Sequence, residues 1–206
     1  MLRIPTSQPT ESPHFIGSWI IEPKSLCDDL ITYFEENKEK QKQGVMSVGK
    51  NLESKNSVDL TITPREILLP GNESMQKYFE ELFKCYKDYT SQWPFLTELG
   101  GELEIGQFNI QRYQTNQHFQ KVHTERCGIS TLHRLFAWMT YLNDVDHKDG
   151  GTTIFTHYGL AIQPKKGLTL IWPAEWTHAH KGSKLTNNSK YIITGWMHFP
   201  EVEPEA

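Results

Sequence analysis

The sequence predicts an α+β chain whose main body is a β-sandwich or open barrel. Two segments of the first half carry apolar residues at helical spacing. From residue 102 onward the texture changes to short runs rich in β-branched and aromatic residues, divided by Gly, Pro, Asn and Asp. Only 37% of the 206 residues are hydrophobic but 12% are aromatic, so a few large side chains must fill the core.

The elements follow in order. Residues 1–14, rich in Pro, Ser and Thr, read as a loose arm. Residues 15–101 form a helical and edge-strand support region, and 102–200 the strand-rich core of one globular domain spanning 15–200. After Pro23, the recurrence of Leu26, Leu30, Tyr33 and Phe34 predicts a helix that runs through a charged stretch toward a stop at Gly44. The glycine-containing segment 44–57 reads as a mobile loop. SVDLTITP alternates Val58, Leu60 and Ile62, a short strand stopped by proline. A second helix sets Met75, Phe79, Leu82, Phe83 and Tyr86 on one stripe and ends before WPF. Strand-like runs then occupy 102–113, 133–144, 152–164, 167–173 and 190–199. Trp138, Trp172 and Trp196 read as barrel core, and Cys127 as a buried thiol.

Composition excludes several classes. No apolar run approaches ~18 residues, so no membrane span is expected. The N-terminus has no apolar h-region, so no signal peptide is expected. A formal charge of −4 disfavours a protein that reads a nucleic-acid backbone. Three widely spaced cysteines do not make a disulfide framework, and a reducing cytoplasm is the expected setting.

Eight of the nine histidines stand from His118 onward. In the extended stretch FQKVHTE, His123 and Glu125 fall on one face. Downstream, WTHAHKG offers His178 and His180, same-faced if extended. Two histidines and a carboxylate on one face form the triad of non-haem Fe(II) oxygenases, which leaves three of six positions open. Lys190, Ile192, Thr194 and Trp196 share one strand face. A lysine there, turned into a barrel, needs a partner, and a buried dicarboxylate would satisfy it. His178 is either a residue close behind the ligands or on the substrate side, or a surface histidine beside Trp176. His118 and His157 are read as surface residues near an entrance.

The segment from Gln111 to Trp196 resembles the prolyl 4-hydroxylase-like group of Fe(II)/2-oxoglutarate-dependent dioxygenases. The resemblance rests on an ordered set: IQRY with Tyr113, HTE with His123 and Glu125, TYLND with Tyr141, GGTTIF from Gly150 to Phe155, PKKG from Pro164 to Gly167, His180, Lys190 ten residues later, and Gly195-Trp196. It implies a double-stranded β-helix core of jelly-roll or cupin type, with the N-terminal helices packed on one sheet. It implies that His123, Glu125 and His180 hold Fe(II), that Lys190 pairs with the distal carboxylate of 2-oxoglutarate, and that Tyr141, Thr153 and Tyr113 stand near that co-substrate.

The implied activity is hydroxylation of an unactivated C–H bond with O₂, releasing succinate and CO₂, with ascorbate as a possible reductant. The leading substrate is a prolyl residue in a peptide or protein. A small molecule such as a free amino acid, and a non-catalytic β-sandwich with a degenerate metal site, are the alternatives; nucleic-acid demethylation fits the charge poorly. The sequence departs from the family pattern at Glu125, where aspartate is usual, so the longer side chain requires the metal or the strand to shift. The filled carboxylate position disfavours halogenation. Segments 44–57 and 115–121 are expected to form a substrate lid. The compact chain reads as a bacterial or phage-type member.

Overall fold

The computed structural model describes residues 13–45, 51–99 and 103–200. Residues 1–12 of the expected arm, and 46–50 of the expected lid, lie outside the described residues. Ahead of the core stand β1 (Gly17–Ile20), α1 (Ser25–Glu36), β2 (Lys42–Gln43), β3 (Val58–Ile62), α2 (Pro64–Ile67) and α3 (Glu73–Gln92). The core contributes β4 (Glu104–Ile105), β5 (Phe108–Gln114), β6 (Phe119–His123), β7 (Arg134–Tyr141), β8 (Thr153–Phe155) and β9 (Leu160–Ile162). β10 (Leu168–Pro173), β11 (His180–Gly182) and β12 (Ser189–His198) complete it.

Two antiparallel sheets face each other. The major sheet runs β1-β10-β7-β12-β5-β3-β2, with β4 paired to the end of β12; the minor sheet runs β6-β11-β8-β9. This is the expected double-stranded β-helix. The period-two rule divides each central strand between two cores. On β7, Phe136 and Trp138 face the helices, whereas Ala137, Met139 and Tyr141 face the minor sheet. On β12, Ile193 and Met197 join the helix-side core while Ile192 joins the inter-sheet core. The large aromatics therefore fill both layers, and Trp138, Trp172, Tyr78, Tyr141, Phe34 and Phe155 are almost fully buried.

The helices cover the outer face of the major sheet. On α1, Leu26, Cys27, Leu30 and Phe34 are buried. The helix ends at Glu36 rather than running on toward Gly44. Past that point no apolar residue continues the stripe, and the Asn37 side chain donates to Tyr33 O (2.8 Å), closing the last turn. On α3 the buried stripe is Met75, Tyr78, Leu82, Cys85 and Tyr89. Phe79 and Tyr86 flank it, and Phe83, expected on it, is 53% exposed. The helix is rotated so that Tyr78 can reach Thr140 on β7, 2.8 Å from hydroxyl to hydroxyl.

β1 has no counterpart among the strands expected from sequence. It is four residues between two prolines, and it forms because β10 offers it an edge, with Gly17 opposite Ile171. The run at 152–164 is a hairpin of two short strands, turning through Gly159 at φ +60°. Segment 115–121, expected in a lid, instead turns at Thr115–Gln117 and enters β6 of the minor sheet. Gly195 allows close packing: a Cβ there would lie 2.7 Å from Trp138 Cζ2 and 2.8 Å from Phe108 Cβ. No helix among the described residues is long and apolar enough to cross a membrane.

Candidate metal centre

Pairing within the minor sheet brings the two histidines together. β6 and β11 are neighbours, and His123 stands directly opposite His180. Glu125 follows two residues after the end of β6. One ligand atom from each of the three lies within 4.8 Å of the others. Glu125 Oε1 is 3.3 Å from His180 Nε2 and 3.8 Å from His123 Nε2.

The ring orientations are set from behind. His123 Nδ1 lies 2.9 Å from Lys121 O, and His180 Nδ1 lies 2.9 Å from His178 O. A carbonyl only accepts, so each Nδ1 carries the proton and each Nε2 presents a lone pair to the centre. Phe119 stacks on His123, with centroids 3.7 Å apart and planes 10° apart. Phe155 and Trp172 pack against His180. Burial, reinforced by His180, lowers the pKa of His123 to about 4. Burial pushes Glu125 upward, but the facing imidazoles, which favour the carboxylate whenever they are protonated, and the Trp196 indole N–H prevail and hold it at about 2. Two imidazole nitrogens and one carboxylate oxygen are the donor set that suits Fe(II).

Lys190 comes from the opposite sheet and lines the same cavity of about 1140 Å³. It is 5% exposed. Its Nζ donates to Gly151 O at 2.9 Å and sits 4.5 Å from the centroid of the Tyr113 ring, its neighbour across β5 and β12. Burial lowers its pKa to about 8. A lysine this buried, without an acidic partner among the described residues, suits a carboxylate entering the cavity. Gly150 and Gly151, at φ +75° and +70°, make the turn that presents the Gly151 carbonyl.

The remaining residues singled out in the sequence fall nearby. Tyr113 and Thr153 line the cavity. Tyr113 donates to Gln111 Oε1 (2.8 Å), and burial raises its pKa well above the usual tyrosine value. Tyr141 is fully buried and donates to Thr153 Oγ1 (2.6 Å), so Thr153 rather than Tyr141 meets the cavity. Thr194 and Ile192 share the lining with Lys190.

Three readings are corrected. His178 does not share a face with His180, because Trp176–His178 is a 3-10 turn rather than extended chain. Its ring is buried, with Nε2 2.7 Å from His14 O, and its contribution to the centre is the backbone carbonyl that orients His180. Cys127 is exposed and lines the cavity rim, because the loop after Glu125 lies outside both cores. Trp196 is not simply core: it lines the cavity, and its indole N–H donates to Glu125 Oε2 (2.8 Å). Its parity with Lys190 on β12 was the available signal. Arg134 and the polar group of Lys55, Asp59 and Gln111 also line the cavity and had no local signature. Within that group, Lys55 bonds Asp59 (2.6 Å), and Gln111 donates to Asp59 (3.1 Å).

The chain is similar to known proteins in sequence and in fold. Residues 108–198 match the family model of the 2OG-Fe(II) oxygenase superfamily. Prolyl 4-hydroxylase subunit alpha-1 of Gallus gallus is 26% identical over 77 residues, which cover 34% of this chain and 14% of that subunit. Among solved structures, a Pseudomonas putida prolyl-4-hydroxylase superposes with a TM-score of 0.71 at 16% identity, covering 90% of this chain and 94% of the other. A viral collagen prolyl hydroxylase from Paramecium Bursaria Chlorella virus-1, solved as its 2OG complex, gives 0.64 at 18% identity, covering 89% and 95%. The match to the 2OG-Fe(II) oxygenase superfamily model spans the strand core that carries His123, Glu125, His180 and Lys190, and the fold of the chain is that of the similar solved structures.

Proposed function

We propose that this chain is an iron(II)- and 2-oxoglutarate-dependent hydroxylase acting on a prolyl residue in a peptide or protein. One observation carries the reading: the His123–Glu125–His180 cluster of the minor sheet and buried Lys190 of the major sheet line a single cavity. When bound, iron(II) and 2-oxoglutarate supply an O₂-dependent oxidation that releases succinate and CO₂ and leaves one oxygen atom on a substrate C–H position.

The chain's own residues orient and exclude. His123 and His180 each offer Nε2, and Glu125 offers Oε1. Lys190 pairs with the distal carboxylate of 2-oxoglutarate in a charge-assisted contact about twice as strong as a neutral one. A lysine is a point charge, so hydroxyls finish the orientation; the reading gives this role to Thr153, which accepts from Tyr141, and to Tyr113, and both line the cavity. Phe119, Phe155 and Trp172 keep water from the imidazoles.

A peptide substrate is supported by the cavity's size, which exceeds what a small dicarboxylate fills, and by the names of the similar proteins. The reading includes ascorbate as a supporting reductant and a cytoplasmic setting, the latter supported by the buried free thiols of Cys27 and Cys85.

The test is a proline-containing peptide array incubated with Fe(II), 2-oxoglutarate and O₂, read by mass spectrometry and succinate formation. A gain of one oxygen atom on prolyl residues, matched by succinate, is expected. Oxygen gain on free amino acids but on no peptide would overturn the substrate class. Absence of succinate under every condition would overturn the enzyme.

A further inference from the structure

We infer that Trp196 and Arg134 are positioning residues that clamp Glu125 as a one-oxygen ligand. The inference rests on the metal-site reading above. It starts from how the two carboxylate oxygens divide. Oε2 accepts the Trp196 indole N–H at 2.8 Å, and Oε1 faces the two imidazoles at 3.3 and 3.8 Å. An indole N–H only donates, so it occupies one oxygen without competing for a cation.

The clamp closes on itself. The Arg134 guanidinium lies 3.5 Å from the centroid of the Trp196 ring, and Arg134 Nη1 donates to the backbone oxygen of Glu125 at 3.0 Å. On either side, the Thr124 hydroxyl and the Arg126 backbone N–H both donate to Ala174 O, at 2.9 and 3.0 Å. The backbone at Glu125 is therefore tied from three directions, and its side chain must span from a fixed point to both the indole and the imidazoles. Aspartate, one methylene shorter, reaches less far from the same backbone position. The buried indole N–H groups of Trp138 and Trp172, by contrast, have no hydrogen-bond partner among the described residues. A cation over the ring face draws on its π electrons and strengthens the N–H as a donor.

The experiment is a Co(II) titration of the full chain, followed by the visible absorption of the bound ion, for the wild type, Trp196→Phe, Glu125→Asp and the double variant. Trp196→Phe and Glu125→Asp are each expected to weaken Co(II) binding by about 10–100-fold. The double variant is expected to stay within about threefold of the weaker single one, because both remove the same contact. Arg134→Met is expected to weaken binding and Arg134→Lys to recover part of the loss. Wild-type affinity in Trp196→Phe, or fully additive losses in the double variant, overturns the clamp. Failure of the wild type to bind Co(II) overturns the metal-site reading instead. If Trp196→Phe does not fold, the wild-type indole proton of Trp196 decides: slow exchange with water supports the carboxylate bond, and fast exchange overturns it.

Discussion

Lys190 Nζ donates to the carbonyl oxygen of Gly151 at 2.9 Å, a neutral acceptor for a buried cation. The contact joins β12 to the double-glycine turn before β8, so the residue proposed to bind the co-substrate already bridges the two sheets. A single carbonyl and an aromatic face leave that charge under-compensated.

Replacing Lys190 with Met is therefore expected to separate binding from folding. The affinity for 2-oxoglutarate should fall by about 10–150-fold, the range of a hydrogen bond to a charged group. The melting temperature without co-substrate should stay level or rise, since an unpaired buried charge is removed. Calorimetric titration and thermal melts of the two proteins check both.

The same lysine gives a pH dependence with a definite sign. Its pKa is about 8 before a carboxylate binds, and binding raises it. Affinity for 2-oxoglutarate should be full below about pH 8 and fall by up to about tenfold per pH unit above it, with proton uptake on binding. Without co-substrate the folded pKa lies below the ordinary lysine value of 10.5. This group's contribution to stability is therefore present above that value and lost as pH falls through about 8. Calorimetry in buffers of different ionisation enthalpy reads the proton uptake, which should vanish in Lys190→Met.

Removal of the metal or of a ligand should abolish turnover. A chelator should stop succinate formation, and added Fe(II) should restore it. His180→Ala and Glu125→Ala should each lower turnover by at least about 100-fold, exceeding losses typical of residues behind the ligands. Their far-ultraviolet circular dichroism should match the wild type.

Gly195→Ala tests the packing that sets Trp196 in place. The added Cβ would meet Trp138 and Phe108 at 2.7 and 2.8 Å, contacts that force repacking. Overpacking of this kind costs about 1–3 kcal/mol, or about 2–4 °C in melting temperature per kcal/mol for a chain of this size. Differential scanning calorimetry measures it.

Much of this was legible in the sequence because strands of period two carry their own facing rule. The parity of Lys190, Ile192, Thr194 and Trp196 put all four toward one cavity, and the short tripeptide at His123 needed only an extended backbone. What escaped was tertiary. β1 exists because β10 lends it hydrogen bonds, and α3 is turned by Tyr78 seeking Thr140, which leaves Phe83 in water. His178 was misplaced because a 3-10 turn replaces the extended chain assumed around it. The support of Glu125 by Trp196 and Arg134 joins residues up to 71 positions apart, a relation no local pattern encodes.

The central claim is that His123, Glu125 and His180 hold the metal to which 2-oxoglutarate binds under the hold of Lys190. Anaerobic titration of the Fe(II)-loaded protein with 2-oxoglutarate, followed by the visible charge-transfer band of the chelate, tests it most directly. The account predicts a saturable band in the wild type, its loss in His180→Ala, and saturation only at far higher co-substrate in Lys190→Met. A folded wild type that gives no band, or a band unchanged by His180→Ala, would contradict it.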